Sequence, residues 1–244
     1  MVLEPRPIIE VRHVTHRFAD GSIGIEDVSL KIHEGEVVLI IGPNGSGKTT
    51  LFRLLIGLLL PQQGEILVEG FSVQKDVLHA RKRIGMVFQD ADCQIVGETV
   101  ASDVAFGPEN ICLNRSDIET RIEQSLKAVG LEAFADRRPH TLSGGEKRRL
   151  AIAGILAMRP SVLVLDEPFA NLDYPGIQSI VAILRRLIDE GKTILIASHQ
   201  VDAIDSLMTR MILLCRGKIV ADGRPEQILP KAVAMGILGP GMRK

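Results

Sequence analysis

The sequence predicts a single α/β domain built around a largely parallel β-sheet. Short β-rich runs alternate with helical patterns along most of its 244 residues, which is the pattern of consecutive βα units. Hydrophobic residues make up 45% of the chain, enough for one substantial core. Four continuous apolar runs indicate strands buried on both faces: Val37 to Ile41, Ile84 to Phe88, Val162 to Leu165 and Thr193 to Ala197.

The opening third of the chain follows a different pattern. Ile8 to Val14 and Val28 to Ile32 alternate apolar with polar residues, as half-exposed antiparallel strands do. We therefore expect an N-terminal antiparallel β subdomain ahead of the main sheet.

The middle of the chain, about residues 95–158, predicts a helical subdomain inserted between two core strands. Ser116 with Glu119 matches a capping box that would begin a helix ending at Gly130. A second helix is predicted from Gly145 to Met158.

Composition argues against several functional classes. Lys and Arg number 29 against 30 Asp and Glu, a net charge of −1, so no bulk field attracts nucleic acid or anionic lipid. Cys93, Cys112 and Cys215 are too scattered for a disulfide framework or zinc site. The start of the chain lacks the order of a secretory signal, and no apolar run approaches the roughly 18–20 residues that span a bilayer. Residues 230–244 are expected to form a short tail, either disordered or a short interface helix.

A phosphate-binding loop is predicted directly after the strand at Val37 to Ile41. The residues match G-x-x-x-x-G-K-[ST] and precede a helical pattern. Glycines let backbone N–H groups face a polyphosphate, Lys48 neutralises phosphate oxygens, and the Thr49 hydroxyl suits Mg²⁺. A glycine-rich turn that only caps a helix is the alternative. The predicted binding residues are Gly42, Pro43, Asn44, Gly45, Ser46, Gly47, Lys48, Thr49 and Thr50.

Two acids follow the apolar run at Val162 to Leu165. A strand buried on both faces places charge only at its carboxyl end, where open α/β sheets bind ligands. In phosphoryl transfer, Asp166 at this edge would hold Mg²⁺ through water, and Glu167 would orient or deprotonate the attacking water. Taken alone, such acids before Pro168 are also common turn residues.

Residues 142–146, Leu-Ser-Gly-Gly-Glu, resemble the signature of the ATP-binding-cassette family, usually L-S-G-G-Q. The resemblance implies the P-loop NTPase fold of that family: a RecA-like core, an N-terminal antiparallel β subdomain and an inserted α-helical subdomain. It also implies ATP and Mg²⁺, and two domains paired head to tail. Each ATP then lies between one chain's phosphate loop and the other chain's Ser143, Gly144, Gly145 and Glu146. By themselves Ser143 and Glu146 are also a capping box that needs no ligand.

Four further positions resemble family motifs. Gln89 resembles the Q-loop glutamine, which implies contact with Mg²⁺ and the attacking water, and His199 resembles the switch histidine that contacts the γ-phosphate. Asp173 resembles a D-loop residue at the dimer interface, and Phe18 the aromatic that stacks on adenine. Outside the resemblance, His199 is an ordinary surface histidine, Asp173 a helix N-cap and Phe18 a core residue.

The segment from Phe88 to Val96, the run from Asp103 to Pro108 and Lys147-Arg148-Arg149 are similar to energy-coupling-factor ATPases. That branch imports micronutrients, which implies integral-membrane T and S subunits above a peripheral ATPase on the cytoplasmic face of the membrane. The cargo stays open between cobalt or nickel and a vitamin, and the dimer between a homodimer and a heterodimer with a related ATPase. A family ATPase that acts on DNA or ribosomes is the alternative, while a small-molecule kinase would leave residues 142–146 unexplained.

Overall fold

The computed structural model describes residues 6–239. Residues 1–5, which carry part of the expectation about the start of the chain, and 240–244, the end of the predicted tail, lie outside the described range. The strands in chain order are β1 Ile9–Arg17, β2 Ile23–Ile32, β3 Val37–Ile41, β4 Gln63–Val68, β5 Phe71–Ser72, β6 Ile84–Val87, β7 Val162–Asp166, β8 Thr193–Ala197, β9 Arg210–Cys215 and β10 Lys218–Gly223.

The α-helices lie between these strands along the chain, except for the last one, which follows β10. They are α1 Lys48–Leu55, α2 Val77–Arg83, α3 Val100–Asn110, α4 Arg115–Val129, α5 Gly144–Ala157, α6 Tyr174–Asp189 and α7 Pro225–Ala234. Across residues 6–239, none of them combines the length and apolar character needed to cross a lipid bilayer.

The N-terminal strands form an antiparallel sheet in the order β2-β1-β4-β5. Ile9 of β1 pairs with Ile32 of β2 on one side and with Val68 of β4 on the other. The alternating pattern therefore predicted this sheet correctly.

The second sheet has the order β10-β9-β3-β8-β7-β6, and only the β10–β9 pair is antiparallel among its described strands. Within β3, Val37, Leu39 and Ile41 face one core, whereas Val38 and Ile40 face a second core shared with α1. All four strands that the sequence predicted as buried on both faces belong to this sheet. The ends of their apolar runs mark the carboxyl end of the sheet.

Helices α3, α4 and α5 lie in the chain between β6 and β7. The predicted start of α4 is wrong. Its N-cap is Asn114, whose side chain accepts a hydrogen bond from the backbone N–H of Asp117, so Ser116 lies inside the helix. Its end is as predicted, because Gly130 takes the left-handed conformation that terminates helices.

The C-terminal stretch packs against the core as far as it is described. Pro230, expected at the start of a tail, lies inside α7. Ile228, Leu229, Ala232 and Leu238 are buried in the same core as α5 and α6. Residues 230–239 are therefore part of the folded domain.

Candidate functional site

The loop between β3 and α1 is shaped by two glycines that no other residue can replace. Gly47 caps α1 with φ of 107°, and a Cβ there would lie 2.4 Å from the carbonyl oxygen of Gly24. A Cβ at Gly42 would lie 2.0 Å from the carbonyl oxygen of Leu214. The loop is therefore tightly folded at the carboxyl end of the sheet, ahead of a helix N-terminus, which favours anions.

Lys48, the first residue of α1, points its ammonium back over this loop. Its Nζ donates hydrogen bonds to the carbonyl oxygens of Gly42 at 2.8 Å and Pro43 at 3.3 Å. Burial lowers the pKa of Lys48, although the charges of Glu167 and Asp166 act in the opposite direction. An anion arriving at Nζ would offset part of the desolvation of this cation.

Asp166 ends β7 beside the loop. Its Oδ2 accepts a hydrogen bond of 2.7 Å from the Thr49 hydroxyl, while its Oδ1 is buried without a partner among the described residues. Burial raises the pKa of Asp166, against the lowering effect of the Thr49 hydrogen bond. An orphaned carboxylate oxygen next to a hydroxyl is a donor set that fits Mg²⁺.

Protein side chains alone do not complete a metal site here. Residues 6–239 contain no group of three or more His, Cys, Asp or Glu side chains arranged to hold a metal ion. Mg²⁺ usually keeps few protein ligands and completes its shell with water and substrate phosphates. Thr49 and Asp166 therefore suit a cation that arrives together with a phosphate ligand.

Glu167 adopts a strained backbone conformation, with φ of 47°, of a kind that clusters at functional sites. Its Oε1 lies 3.4 Å from Nε2 of His199, and its Oε2 accepts a 3.4 Å hydrogen bond from the His199 backbone N–H. The same Nε2 lies 3.2 Å from Oδ1 of Asn44. Burial raises the pKa of Glu167, partly offset by His199. His199 thus links the carboxylate to the phosphate-binding loop.

These groups line one cavity of about 420 Å³. The structure brings Gln89, which follows β6, to the same cavity as Thr49, Asp166, Glu167 and His199. Most of the loop lines it as well: Asn44, Gly45, Ser46, Gly47, Lys48 and Thr50. All the predicted catalytic and metal-binding residues therefore meet in one place.

Ser143, Gly144, Gly145 and Glu146 do not line this cavity. Ser143 is the N-cap of α5: its Oγ accepts from the Glu146 backbone N–H at 3.3 Å, and Glu146 Oε2 accepts from the Ser143 backbone N–H at 2.7 Å. These hydrogen bonds lower the pKa of Glu146. Within one chain, the N-terminal end of α5 is therefore a capped helix terminus that does not line the cavity at the phosphate-binding loop.

Phe18 is not the core residue that was its alternative outside the resemblance, whereas Asp173 does take its alternative role of a helix N-cap. Phe18 is 39% exposed and packs edge-on against His16, beside Gly24 and Thr50 at the start of α1. The Asp173 carboxylate accepts a 2.9 Å hydrogen bond from the Gly176 backbone N–H, so it is the N-cap of α6.

Sequence reasoning missed the contribution of Arg148 to this site. The side chain is only 5% exposed and donates to the backbone carbonyl oxygens of Phe88 and Gln89. The available signal was its position: Arg148 begins the i, i+3, i+4 stripe that continues with the buried Ala151 and Ile152. A cation at the head of an apolar stripe indicates a specific partner.

Comparison with known proteins shows the family of this chain. The sequence profile described as ABC transporter matches residues 25–170, more than half of the chain. The chain belongs to the ABC transporter family. It is the ATP-binding and ATP-hydrolysing member of such a system.

Relatives of this ABC ATPase come from the branch that its sequence resembles. The energy-coupling factor transporter ATP-binding protein EcfA of Methanocaldococcus jannaschii is 43% identical over 91% of this chain and 80% of its own length. The EcfA of Methanothermobacter thermautotrophicus is 42% identical over 92% of this chain and 73% of its own. The predicted resemblance to energy-coupling-factor ATPases is therefore confirmed.

Solved structures confirm the predicted fold of the ABC ATPase. The cbiO1 protein of Clostridium perfringens, described as part of the ABC transporter complex cbiONQ, is 35% identical with a TM-score of 0.84 over 95% of this chain and 94% of its own. A dimeric ATP-binding cassette in a post-hydrolysis state with ADP and Pi is 29% identical, with a TM-score of 0.79 over 88% of this chain and 98% of its own.

Proposed function

We propose that this ATPase powers uptake of a micronutrient, a cobalt or nickel ion or a vitamin, through separate integral-membrane T and S subunits on whose cytoplasmic face it sits. The observation that carries the proposal is the similarity to EcfA proteins across about nine-tenths of the chain, together with the convergence of the predicted residues on one cavity. The cbiO1 neighbour, itself part of a transporter complex, supports the same assignment.

Hydrolysis would depend on the chain's own charges around the triphosphate. Lys48 neutralises the β- and γ-phosphate oxygens. Mg²⁺, held by Thr49 and Asp166 with Gln89 close by, would polarise the phosphate oxygens. Glu167 accepts a proton from the attacking water, and the imidazole of His199 keeps the carboxylate in place from 3.4 Å.

The active unit in this proposal contains two ATPase chains, either identical or related. The helix start at Ser143, Gly144 and Gly145 would offer backbone N–H groups to a nucleotide, but within one chain these residues do not line the cavity at the phosphate-binding loop. A head-to-tail partner would bring its Ser143 end to that nucleotide, as the dimeric state of a structural neighbour supports. Glu146 would lie beside the trans nucleotide, Asp173 near the dimer interface, and the ring of Phe18 against the adenine.

Uptake by the native complex tests the transport assignment. The full chain carrying an affinity tag is isolated from its own membranes in detergent, and the membranes are assayed for ATP-dependent uptake of Co²⁺, Ni²⁺ and vitamins. We expect co-purification of integral-membrane subunits, and uptake of one cargo that Glu167→Gln abolishes. Co-purification with ribosomes or DNA, without membrane subunits, would support the non-transport alternative instead.

A further inference from the structure

Arg148 is a buried cation whose hydrogen-bond partners are neutral. Its Nη1 donates to the Phe88 carbonyl oxygen at 2.6 Å and its Nη2 to the Gln89 carbonyl oxygen at 2.5 Å. Its Nε is buried without a partner, and no carboxylate within residues 6–239 comes within 4.0 Å of the guanidinium. Burial lowers the pKa of Arg148, and the more distant charges of Asp90 and Asp166 act in the opposite direction. Burying a charge without an ion-pair partner opposes folding. Stability alone therefore does not explain why an arginine occupies this position.

Those two carbonyl groups belong to the backbone that carries Gln89. Gln89 follows β6, which pairs in parallel with β7, the strand that ends at Asp166. Its side chain lines the cavity that holds Thr49, Asp166 and Glu167. A hydrogen bond to the carbonyl oxygen of Gln89 restrains the backbone from which its side chain starts.

The same arginine belongs to the helix that begins at the signature. Arg148 lies five residues after Ser143, about one and a half turns along α5. Its neighbour Lys147 forms a 2.6 Å ion pair with Asp92, so α5 holds the segment 88–92 at two points. The N-terminal part of α5 is therefore tied by two of its side chains to the segment that carries Gln89.

We propose that Arg148 is a positioning residue for hydrolysis. It couples the N-terminal end of α5, which begins at Ser143, to Gln89 in the same chain. Gln89 then takes the position required for hydrolysis only when Ser143 contacts the nucleotide of the partner chain. The inference rests on the proposed function, in which Ser143 contacts the nucleotide bound by the partner chain and Gln89 acts on the nucleotide bound by its own chain. Each chain thereby links the two nucleotides of the dimer.

Arg149 supplies a matched control on the same helix. Its Nη1 also donates to two backbone carbonyl oxygens, those of Val129 at 2.8 Å and Gly130 at 3.2 Å. These carbonyls lie at the end of α4, and Arg149 lines neither cavity that contains Gln89. Loss of Arg149 removes comparable hydrogen bonds without touching the Gln89 backbone.

The test measures MgATP hydrolysis and thermal unfolding of the full chain carrying Arg148→Gln, Arg148→Lys or Arg149→Gln. For Arg148→Gln we expect kcat to fall about tenfold or more, with KM for ATP and nucleotide Kd within about twofold, because the phosphate-binding loop is unchanged. Arg148→Lys should recover part of kcat, since an ammonium can reach one of the two carbonyls. Arg149→Gln should lower Tm while leaving kcat within about twofold.

A double-mutant cycle separates positioning from a purely structural role. If Arg148 acts through Gln89, the variant with both Gln89→Ala and Arg148→Gln hydrolyses ATP no more slowly than Gln89→Ala alone. The proposal is overturned if the two losses multiply, or if Arg148→Gln keeps the kcat of Arg149→Gln. Should Arg148→Gln not fold, Arg148→Lys carries the same cycle. If the unmutated chain hydrolyses no ATP, either alone or in the complex isolated from its membranes, the proposed function itself is contradicted. If the unmutated chain is active and only the predictions for Arg148 fail, the proposed function stands and this inference does not.

Discussion

Asp166 and Glu167 are consecutive acids whose surroundings differ. Asp166 is tied to the Thr49 hydroxyl at 2.7 Å, whereas Glu167 turns towards His199 through a backbone conformation with φ of 47°. Sequence alone predicted both acids, since a strand buried on both faces accommodates charge only where it ends. The position of Arg148 at the head of an apolar stripe indicates that it has a partner, but the sequence does not identify that partner, because backbone carbonyls of a distant segment carry no residue-type signal.

Glu167→Gln is predicted to stabilise the chain near neutral pH in the absence of nucleotide. Burial raises the pKa of Glu167, so the neutral form favours folding below the unfolded-state pKa, and this contribution is lost as pH rises through the folded-state pKa. The uncharged amide keeps it. We expect Tm to rise by about 2–4 °C, the shift that roughly 1 kcal/mol causes in a domain of this size.

Thermal melts between acid and neutral pH check this sign. The advantage of Glu167→Gln should shrink as pH falls below the ordinary range of glutamate, where the native carboxyl is also neutral. Glu123→Gln, on the exposed surface of α4, is the control and should change Tm little. A Tm below that of the native chain at neutral pH would refute the account of Glu167 as a destabilised buried charge.

Glu146→Gln is predicted to change stability and nucleotide-driven pairing in opposite directions. The amide can keep the capping-box geometry, but it loses a negative charge in the first turn of α5, which costs about 0.3–1 kcal/mol. The same loss removes repulsion from a triphosphate held by the partner chain. Tm should therefore fall slightly, while the Kd of ATP-dependent dimerisation falls severalfold at low salt. Weaker pairing in this variant would place Glu146 away from the trans nucleotide.

At the scale of secondary-structure elements, the hydrophobic pattern predicted the core strands correctly, but the start of α4 was predicted wrongly because two residues could serve as its N-cap. The core strands were recognisable because β3, β7 and β8 are apolar at nearly every position and buried on both faces. The start of α4 was not recognisable, because Ser116 with Glu119 fits the capping-box pattern and asparagine, the residue type at 114, is favoured as an N-cap about as strongly as serine. In the structure Glu119 instead pairs with Arg115 at 2.9 Å.

Substitutions at the two competing caps test the observed start of α4. Asn114→Ala removes the hydrogen bond to the Asp117 backbone N–H and should lower the free energy of unfolding by about 1 kcal/mol. Ser116→Ala lies inside the helix and should change it by less than about 0.5 kcal/mol. Urea unfolding measures both, and a larger loss for Ser116→Ala would restore the sequence-based boundary.

At the scale of the whole molecule, the cavity of one chain brings together the groups predicted for the chemistry, but the signature of that chain lies outside it. The cavity at the sheet edge contains the phosphate-binding loop, both acids, Gln89 and His199, whereas the Ser143 end of α5 lies outside it. The sequence predicted this separation only through its resemblance to the family, because no spacing rule tells which motifs meet between molecules. A second chain supplies the missing helix terminus in our proposal, so ATP itself would hold the dimer together.

Sedimentation of Glu167→Gln with MgATP tests this claim most directly. With hydrolysis blocked and binding preserved, we predict a stable dimer in ATP and a monomer without nucleotide. Adding Ser143→Arg places a bulky cation at the signature and should return the protein to a monomer that still binds ATP. A double variant that still dimerises would contradict a nucleotide held between the phosphate loop of one chain and the signature helix of another. So would a Glu167→Gln chain that stays monomeric in saturating MgATP both alone and with the related ATPase that co-purifies from its membranes.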